Sequence, residues 1–220
     1  MTVFQKNIAL PDFDRKEICR YAGVKKLTDD IRPTLENCID MCRELTGRVC
    51  YCETPISVGD GRVDFGFAKV QSEGLCKNLD GCEGAIIFAA TVGVEIDRLI
   101  SKYSSLSPSR AVILQAIGAE RIEALCDCFC EMQKSEKQKL GKTVRPRFSP
   151  GYGDLSLEFQ RDIFLNLDCF RKIGLSLSDR LLMSPSKSVT AIVGICSCSC
   201  GSEKQPGCAA CDNEHCQFRR

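Results

Sequence analysis

The clearest periodicity in the chain lies between Ser107 and Met132, where apolar residues recur at spacings of three and four. That spacing puts apolar side chains on one face of a helix. Ser107 followed by Pro108 is a typical helix start, because serine caps the first turn and proline suits the first helical position. The pattern predicts a long helix whose buried face comprises Leu114, Gly118, Ile122, Leu125, Phe129 and Met132.

Two other patterns predict strands. Residues 62–67 alternate, with Val63, Phe65 and Phe67 on one face and Arg62 and Asp64 on the other. Residues 84–91 form a continuous apolar run, which is typical of a central strand that is buried on both faces. A further strand is predicted at residues 48–53.

Capping residues and glycines delimit shorter helices. Gly23 and Gly47 would end two of them, and Ser72 and Ser156 would cap two others. A final hairpin is predicted, with strands at residues 180–183 and 188–194 around a Ser-Pro-Ser-Lys turn. The helices are expected at residues 14–22, 30–46, 72–78 and 94–104, and again from about residue 157.

Helices and strands that mix without strict alternation favour an α+β fold, with a mixed, largely antiparallel sheet and flanking helices. Residues 1–195 are expected to form one globular unit. Residues 196–220 are expected to form a short cysteine-rich appendage, because six of the 17 cysteines and the single histidine lie there.

Composition narrows the class of protein. The chain has 30 Lys and Arg against 29 Asp and Glu, a formal net charge of +1, which argues against a nucleic-acid partner. The longest apolar run, residues 84–94, is too short to span a membrane, and the N-terminal sequence does not resemble a signal peptide. A cytoplasmic, reducing location is expected, where cysteines serve as thiols or metal ligands.

The segment Arg147 to Asp154 combines residues that suit ligand binding. An arginine beside a Pro-Gly turn can hold a carboxylate through two hydrogen bonds, and the turn lets a ligand approach the backbone. Tyr152 adds a flat apolar ring with a polar tip. These features suit a small zwitterionic ligand that carries a ring. The alternative is a plain surface loop that precedes a helix.

The motif RFSPGYGD, together with LLMSPSKSVTAIVGI and VDFGFAKVQSEGLCKNLDGCEGAIIFAATVGVEID, resembles the activation domain of cobalamin-dependent methionine synthase, above all its stand-alone form. The family's Arg-x-x-x-Gly-Tyr motif is matched by Arg147, Gly151 and Tyr152. The resemblance runs over most of residues 10–195.

The resemblance implies binding of S-adenosylmethionine and reductive methylation of cobalamin carried by a separate methionine synthase or another corrinoid protein. A flavodoxin- or ferredoxin-like protein would supply the electron. Arg147 would hold the ligand's carboxylate, and the backbone of Ser149, Pro150 and Gly151 would contact the rest of the ligand. Tyr152 would line the pocket near the corrin. Glu131 and Asp127 are candidates for the acidic contacts, and the alternative is that they belong to a solvated helix face.

Departures from the family pattern leave an alternative open. Leu155 and Ser156 stand where fused activation domains have a Cys-Pro pair, and cysteines follow Ile195 where those domains continue into a further ligand-contacting strand. The alternative is a metal-binding electron-transfer or scaffold protein that no longer binds S-adenosylmethionine. The single histidine lies outside the family's cobalamin-ligating motif, so any cobalamin is expected on the partner.

The last residues read C-x-C-x-C-G and then C-x-x-C-x-x-x-H-C, a spacing that suits tetrahedral thiolate coordination of zinc or of an iron–sulfur cluster. Free thiols are the alternative. Most internal cysteines are expected to pack in the core as small apolar side chains, whereas Cys50 and Cys52 could face either the core or the solvent. The candidate metal ligands are Cys196, Cys198, Cys200, Cys208, Cys211 and Cys216.

Overall fold

A computed structural model of the protein describes residues 1–197, and Cys198, Cys200, Cys208, Cys211 and Cys216 lie outside the described residues. Its elements in chain order are β1 (Val3–Ile8), α1 (Arg15–Tyr21), α2 (Arg32–Met41), β2 (Gly47–Pro55), β3 (Ser57–Gly59), β4 (Arg62–Asp64), β5 (Lys69–Gln71), α3 (Glu73–Asn78), β6 (Cys82–Thr91), α4 (Glu95–Leu106), α5 (Pro108–Gln138), β7 (Lys142–Val144), α6 (Phe159–Leu167), α7 (Cys169–Ile173), β8 (Ser176–Leu177), β9 (Met183–Ser184) and β10 (Ser188–Ser197).

The main sheet has five strands in the order β1-β2-β6-β10-β7, and all neighbours are antiparallel. The predicted α+β class is therefore confirmed. The apolar run at residues 84–91 forms most of β6, the middle strand, as its pattern predicted. Ile87 of β6 lies opposite Cys52 of β2 and Ile192 of β10.

The sheet separates two hydrophobic cores, because alternate side chains of each strand point to opposite faces. One face of β6 presents Ile86 and Phe88 to a core shared with α1, α2, α4 and α5. The other face presents Ile87 and Ala89 to a core shared with α3, α6 and α7. The molecule is thus a sheet covered on both sides.

The long helix α5 begins at Pro108 as predicted, and four of its predicted core side chains (Leu114, Ile122, Leu125 and Phe129) are buried. Met132 was expected to be buried and is instead 37% exposed, while Gln133 and Lys137 are buried. After Phe129 the buried residues follow at a spacing of four, so the buried face of the helix turns away from Met132. Lys137 Nζ donates to Glu53 Oε1 at 2.6 Å, which pairs the buried ammonium.

Several predicted elements differ from the structure. The strand predicted at residues 62–67 ends at Asp64, and the helix expected from about residue 157 begins at Phe159 with Glu158, not Ser156, in the capping position. Residues 30–46 hold a shorter helix, α2, which begins at Arg32 and ends at Met41. The final hairpin was wrong: β9 pairs with β8, and β10 pairs with β6 and β7. The register with β6 covers most of β10 and buries both of its faces, which a two-stranded hairpin would leave open.

A buried ion pair fixes the segment that joins β1 to α1. Arg121 Nε donates to Glu120 Oε2 at 2.5 Å, and the side chains are 1% and 5% exposed. Arg121 also donates to the carbonyl oxygens of Pro11 at 2.6 Å and Asp12 at 3.1 Å. Its guanidinium carbon lies 4.0 Å from the centre of the Phe13 ring. α5 therefore holds this segment through one arginine.

The sheet continues past residue 195, because Cys196 and Ser197 pair with Thr143 and Lys142 of β7. A chain truncated after Ser197 should keep the full free energy of unfolding in a reducing buffer. A chain truncated after Ile195 should lose about 1–3 kcal/mol, because a buried side chain and its strand pairing are removed. Urea unfolding of the two chains and the full chain measures this. Loss of the whole fold on truncation after Ser197 would contradict it.

Candidate functional site

Arg147 is placed by the last two strands of the sheet. Beyond β7 the chain stays alongside β10: Arg145 N donates to Gly194 O at 2.9 Å, and Phe148 and Ile192 exchange two backbone hydrogen bonds of 2.8 Å. The Arg147 side chain reaches α5, where Nη2 lies 2.6 Å from Glu123 Oε2 and 3.2 Å from Asp127 Oδ1. Strand pairing thus fixes the backbone that presents this guanidinium.

The guanidinium of Arg147 is charged and largely buried, and one of its nitrogen atoms lacks a hydrogen-bond acceptor in residues 1–197. Burial alone would lower the pKa of Arg147, but the nearby Cys126 and the carboxylates of Glu123 and Asp127 raise it above its ordinary value. The Nη1 atom is buried without a hydrogen-bond partner within the described residues. A buried donor without an acceptor costs about 1–3 kcal/mol, so an acceptor that reaches Nη1 would be stabilised.

The loop that follows Arg147 is shaped by its own backbone hydrogen bonds. Tyr152 N donates to Ser149 O at 3.1 Å, and Gly151 N donates to Leu155 O at 2.9 Å. Gly151 has a φ of +87°, a conformation that a residue with a side chain rarely adopts. Pro150 is buried. Tyr152 is 70% exposed, so the turn projects this ring outward.

The far end of the loop is anchored by Asp154, which the sequence did not mark as a key residue. Its Oδ1 accepts from Ser72 Oγ at 2.5 Å and from Gly74 N at 3.1 Å, and its Oδ2 accepts from Glu73 N at 2.6 Å. Ser72 also caps α3 as predicted, accepting from Leu75 N at 3.0 Å. The loop therefore extends from α5, beside one core, to α3, beside the other.

These bonds give Asp154 a testable pH dependence. The Ser72 hydroxyl, followed by the backbone N–H groups of Glu73 and Gly74, lowers the pKa of Asp154 below 3.8. A depressed carboxyl pKa stabilises the fold above the unfolded-state pKa, and this contribution is lost as pH falls through the folded-state value. Asp154→Asn should therefore lower Tm at pH 5–7, and the difference should shrink toward pH 2.

Thermal unfolding across this pH range measures the effect. Asp29→Asn is the matched control, because it removes one carboxylate whose side chain is fully exposed. A difference in Tm between the parent and Asp154→Asn that stays constant down to pH 2 would contradict the assignment of Asp154 as the anchor.

An acidic cleft of about 350 Å³ lies between α5 and the segment from Pro11 to Tyr21. Two of its lining residues, Glu123 and Asp127, are the partners of Arg147. The cleft therefore presents carboxylates along its walls, and Arg147, which does not itself line the cleft, pairs with two of them. Its acidic lining residues are Asp12, Asp14, Glu17, Glu120, Glu123 and Asp127.

The structure brings together part of the predicted set. Asp127 contacts Arg147, whereas Glu131 lies 3.6 Å from Lys134 Nζ. Glu123, which the sequence analysis missed, makes the shorter contact with Arg147. It lies one helical turn before Asp127, so i,i+4 spacing on α5 was the signal that could have found it.

Of the candidate metal ligands, only Cys196 lies among the described residues. It is buried in β10, and its Sγ lies 2.8 Å from Cys82 Sγ. No group of three or more His, Cys, Asp or Glu within residues 1–197 is arranged to hold a metal ion.

Several internal cysteines pack in the two cores, and the structure places Cys50 and Cys52, which the sequence left open, in the core as well. Cys38, Cys42 and Cys126 belong to one core, and Cys50 and Cys52 belong to the other. Burial raises the pKa of Cys42 to about 12 and that of Cys52 to about 11, so these thiols stay protonated at neutral pH.

No helix in the described part of the chain is both long and apolar enough to cross a membrane.

Comparison with known proteins places the fold. No protein-family model matches the sequence, and no curated protein matches it. Among solved structures, the fold is similar to a crystal structure of the MetH reactivation domain bound to AdoHcy, with a TM-score of 0.61 and 12% sequence identity. The match covers 88% of this chain and 78% of that chain. At this identity the likeness concerns the fold.

Proposed function

We propose that the protein binds S-adenosylmethionine beside Arg147 and supports reductive methylation of the cobalamin of a separate methionine synthase. One observation carries this proposal. The guanidinium of Arg147 pairs with Glu123 of the acidic cleft, and its buried Nη1 atom has no hydrogen-bond acceptor within the described residues. The similarity of the fold to a reactivation domain bound to AdoHcy supports it.

The charges around the cleft suit the amino-acid end of this ligand. Its carboxylate would pair with Arg147, because a guanidinium binds a carboxylate through charge-assisted hydrogen bonds. Its ammonium and sulfonium groups would face the carboxylates of the cleft. Asp12 is suited to this role, because no ion pair is recorded for its side chain within residues 1–197, whereas Glu17, Glu120 and Glu123 each pair with an arginine.

The loop of residues 149–152 would face the remainder of the ligand and the partner. Ser149 O and Gly151 N already bond within the turn, so their role is to shape the loop. Pro150 is buried within the turn. The exposed ring of Tyr152 offers an apolar face to a corrin approaching from the partner protein.

The reaction needs one electron and one methyl group. A flavodoxin- or ferredoxin-like donor would supply the electron, S-adenosylmethionine would supply the methyl group, and S-adenosylhomocysteine would leave. Reduction of cob(II)alamin is unfavourable by itself, and methyl transfer draws it forward. The protein contributes binding and orientation, since it holds the sulfonium where the partner's cobalt can reach its methyl group.

We also propose that Cys208, Cys211, Cys216 and one cysteine at the end of β10 or just beyond it hold zinc or an iron–sulfur cluster. The spacing of these thiols supports this, and four of the candidate ligands would suffice for a tetrahedral site. Such a site would suit docking or electron delivery.

Calorimetric titration of the reduced, full-length protein tests the proposal. S-adenosylmethionine and S-adenosylhomocysteine should both bind. 5′-Methylthioadenosine, which lacks the amino-acid end, should bind at least about 30-fold more weakly, because it cannot contact Arg147. Equal affinity for all three would move the site away from Arg147. No heat with any of them would favour the metal-binding electron-transfer or scaffold protein.

A further inference from the structure

Two cysteines meet at the last described residues of the sheet. Cys82 begins β6, Cys196 lies one residue from the end of β10, and they are direct partners in the antiparallel register. Their sulfur atoms lie 2.8 Å apart, although 114 residues separate them in sequence. Directly opposed antiparallel residues have Cα atoms about 4.5–5.5 Å apart, within the range that a disulfide spans.

A shift in register brings the two thiols together. Ile195 lies opposite Gly84, so regular pairing would place Cys196 opposite Glu83. The shift between Ile195 and Cys196 places Cys82 there instead. A bulge of this kind changes the direction of a side chain, and here it turns one thiol toward the other.

The surrounding residues make room for the pair. A Cβ atom on Gly194 would lie 2.7 Å from Cys82 Sγ and 2.8 Å from Leu79 Cδ2, so a larger residue here would force the Cys82 sulfur to shift. The guanidinium of Arg145 lies beside the two thiols, and its charge interacts with both.

Accessibility distinguishes this pair from another. Cys50 and Cys169 have sulfur atoms 3.9 Å apart, but both residues are buried. Cys82 is partly exposed whereas Cys196 is buried, so Cys82 is the residue of this pair that a small reagent would meet first.

We propose that Cys82 and Cys196 are an oxidation site that forms a reversible disulfide between β6 and β10. The cross-link would tie the sheet together where residues 198–220 begin. This inference is independent of the proposed S-adenosylmethionine site, since it uses none of the residues assigned to that ligand. Cys196 is also a candidate metal ligand, and a disulfide with Cys82 would exclude it from the metal site, which Cys198 or Cys200 would then complete.

The chemistry balances with a low-molecular-weight disulfide as oxidant. The Cys82 thiolate attacks one sulfur of this disulfide, forms a mixed disulfide and releases one small thiolate. The Cys196 thiolate then attacks the Cys82 sulfur, closes the internal disulfide and releases the second small thiolate. Two cysteine thiols are oxidised, one small disulfide is reduced to two thiols, and their protons pass through solvent.

Peptide mapping of the full-length protein tests the proposal. After incubation with oxidised glutathione, free thiols are alkylated and the protein is digested without reduction. A peptide pair joined through Cys82 and Cys196 is expected, and dithiothreitol should release it. A second sample with serine at the five cysteines from Cys198 to Cys216 prevents exchange with them. In that sample, oxidation should raise Tm by about 5–15 °C, because a long loop is closed.

The control variants make the outcome decisive. Cys82→Ser should abolish the Tm shift, and Cys76→Ser, which alters another partly exposed cysteine, should leave it unchanged. Alkylation of both Cys82 and Cys196 in the oxidised sample would overturn the proposal. So would protection of both thiols by bound zinc or iron that a chelator removes, because the pair would then be part of a metal site.

Discussion

Replacing Arg147 with alanine should weaken S-adenosylmethionine binding by about 30- to 1,000-fold, or about 2–4 kcal/mol. The expected loss is large because the substitution removes the guanidinium that we propose to pair with the ligand's carboxylate. It also removes the positive charge with which Glu123 and Asp127 each form an ion pair. Calorimetric titration of parent and variant measures the effect, and Arg147→Lys should give an intermediate loss, because the charge remains while the paired hydrogen bonds do not.

Arg161→Ala is a matched control for that experiment. Arg161 also pairs with a carboxylate, Glu158 at 2.7 Å, but it lies on α6 and away from the cleft. Its substitution should leave affinity unchanged. Arg147→Ala should unfold within a few degrees of the parent, since Glu123 and Asp127 are 31% and 58% exposed and water can solvate them. Unchanged affinity in Arg147→Ala would remove this residue from the site.

Arg121→Met is expected to reduce the free energy of unfolding by about 3–5 kcal/mol, because it leaves the buried Glu120 carboxylate without its cation. The carbonyl oxygens of Pro11 and Asp12 lose their donor as well. Urea unfolding at neutral pH measures the loss. Since Pro11 and Asp12 line the acidic cleft, the variant should also bind S-adenosylmethionine more weakly at temperatures where it remains folded.

A double variant separates the buried charge from packing. Glu120→Leu with Arg121→Met removes both charges and should recover at least about 1 kcal/mol relative to Arg121→Met alone. Arg98→Met, an arginine 74% exposed on α4, should change stability by less than about 0.5 kcal/mol. A double variant that is no more stable than Arg121→Met would show that the contacts to the Pro11–Phe13 segment dominate.

The sequence patterns predicted elements whose signals are local. The start of α5 follows from Ser107 and Pro108, and β6 follows from an apolar run that fits only a strand covered on both faces. Strand β1 has no comparable signal, since Gln5, Lys6 and Asn7 are polar and the strand lies at the sheet edge. The place of β10 between β6 and β7 depends on pairing over long separations, which no local spacing encodes.

Some residues of the candidate site could likewise be predicted from the sequence, and others could not. Arg147, Gly151 and Tyr152 belong to one short motif, so the sequence alone could predict them as a group. Glu123 and the cleft opposite it become visible only when α5 packs beside the segment before α1. The Cys82–Cys196 contact depends on a one-residue register shift, which no spacing of cysteines along the chain could indicate.

The place of β10 also affects protein synthesis. About 100 residues separate the end of β6 from the start of β10, which a ribosome adds over roughly 5–20 s. During that time β6 can pair with β2 on one side, but its other edge has no native partner. An apolar strand with an open edge favours association between nascent chains. Slow translation between residues 91 and 188 would therefore lower the yield of folded protein without changing any residue.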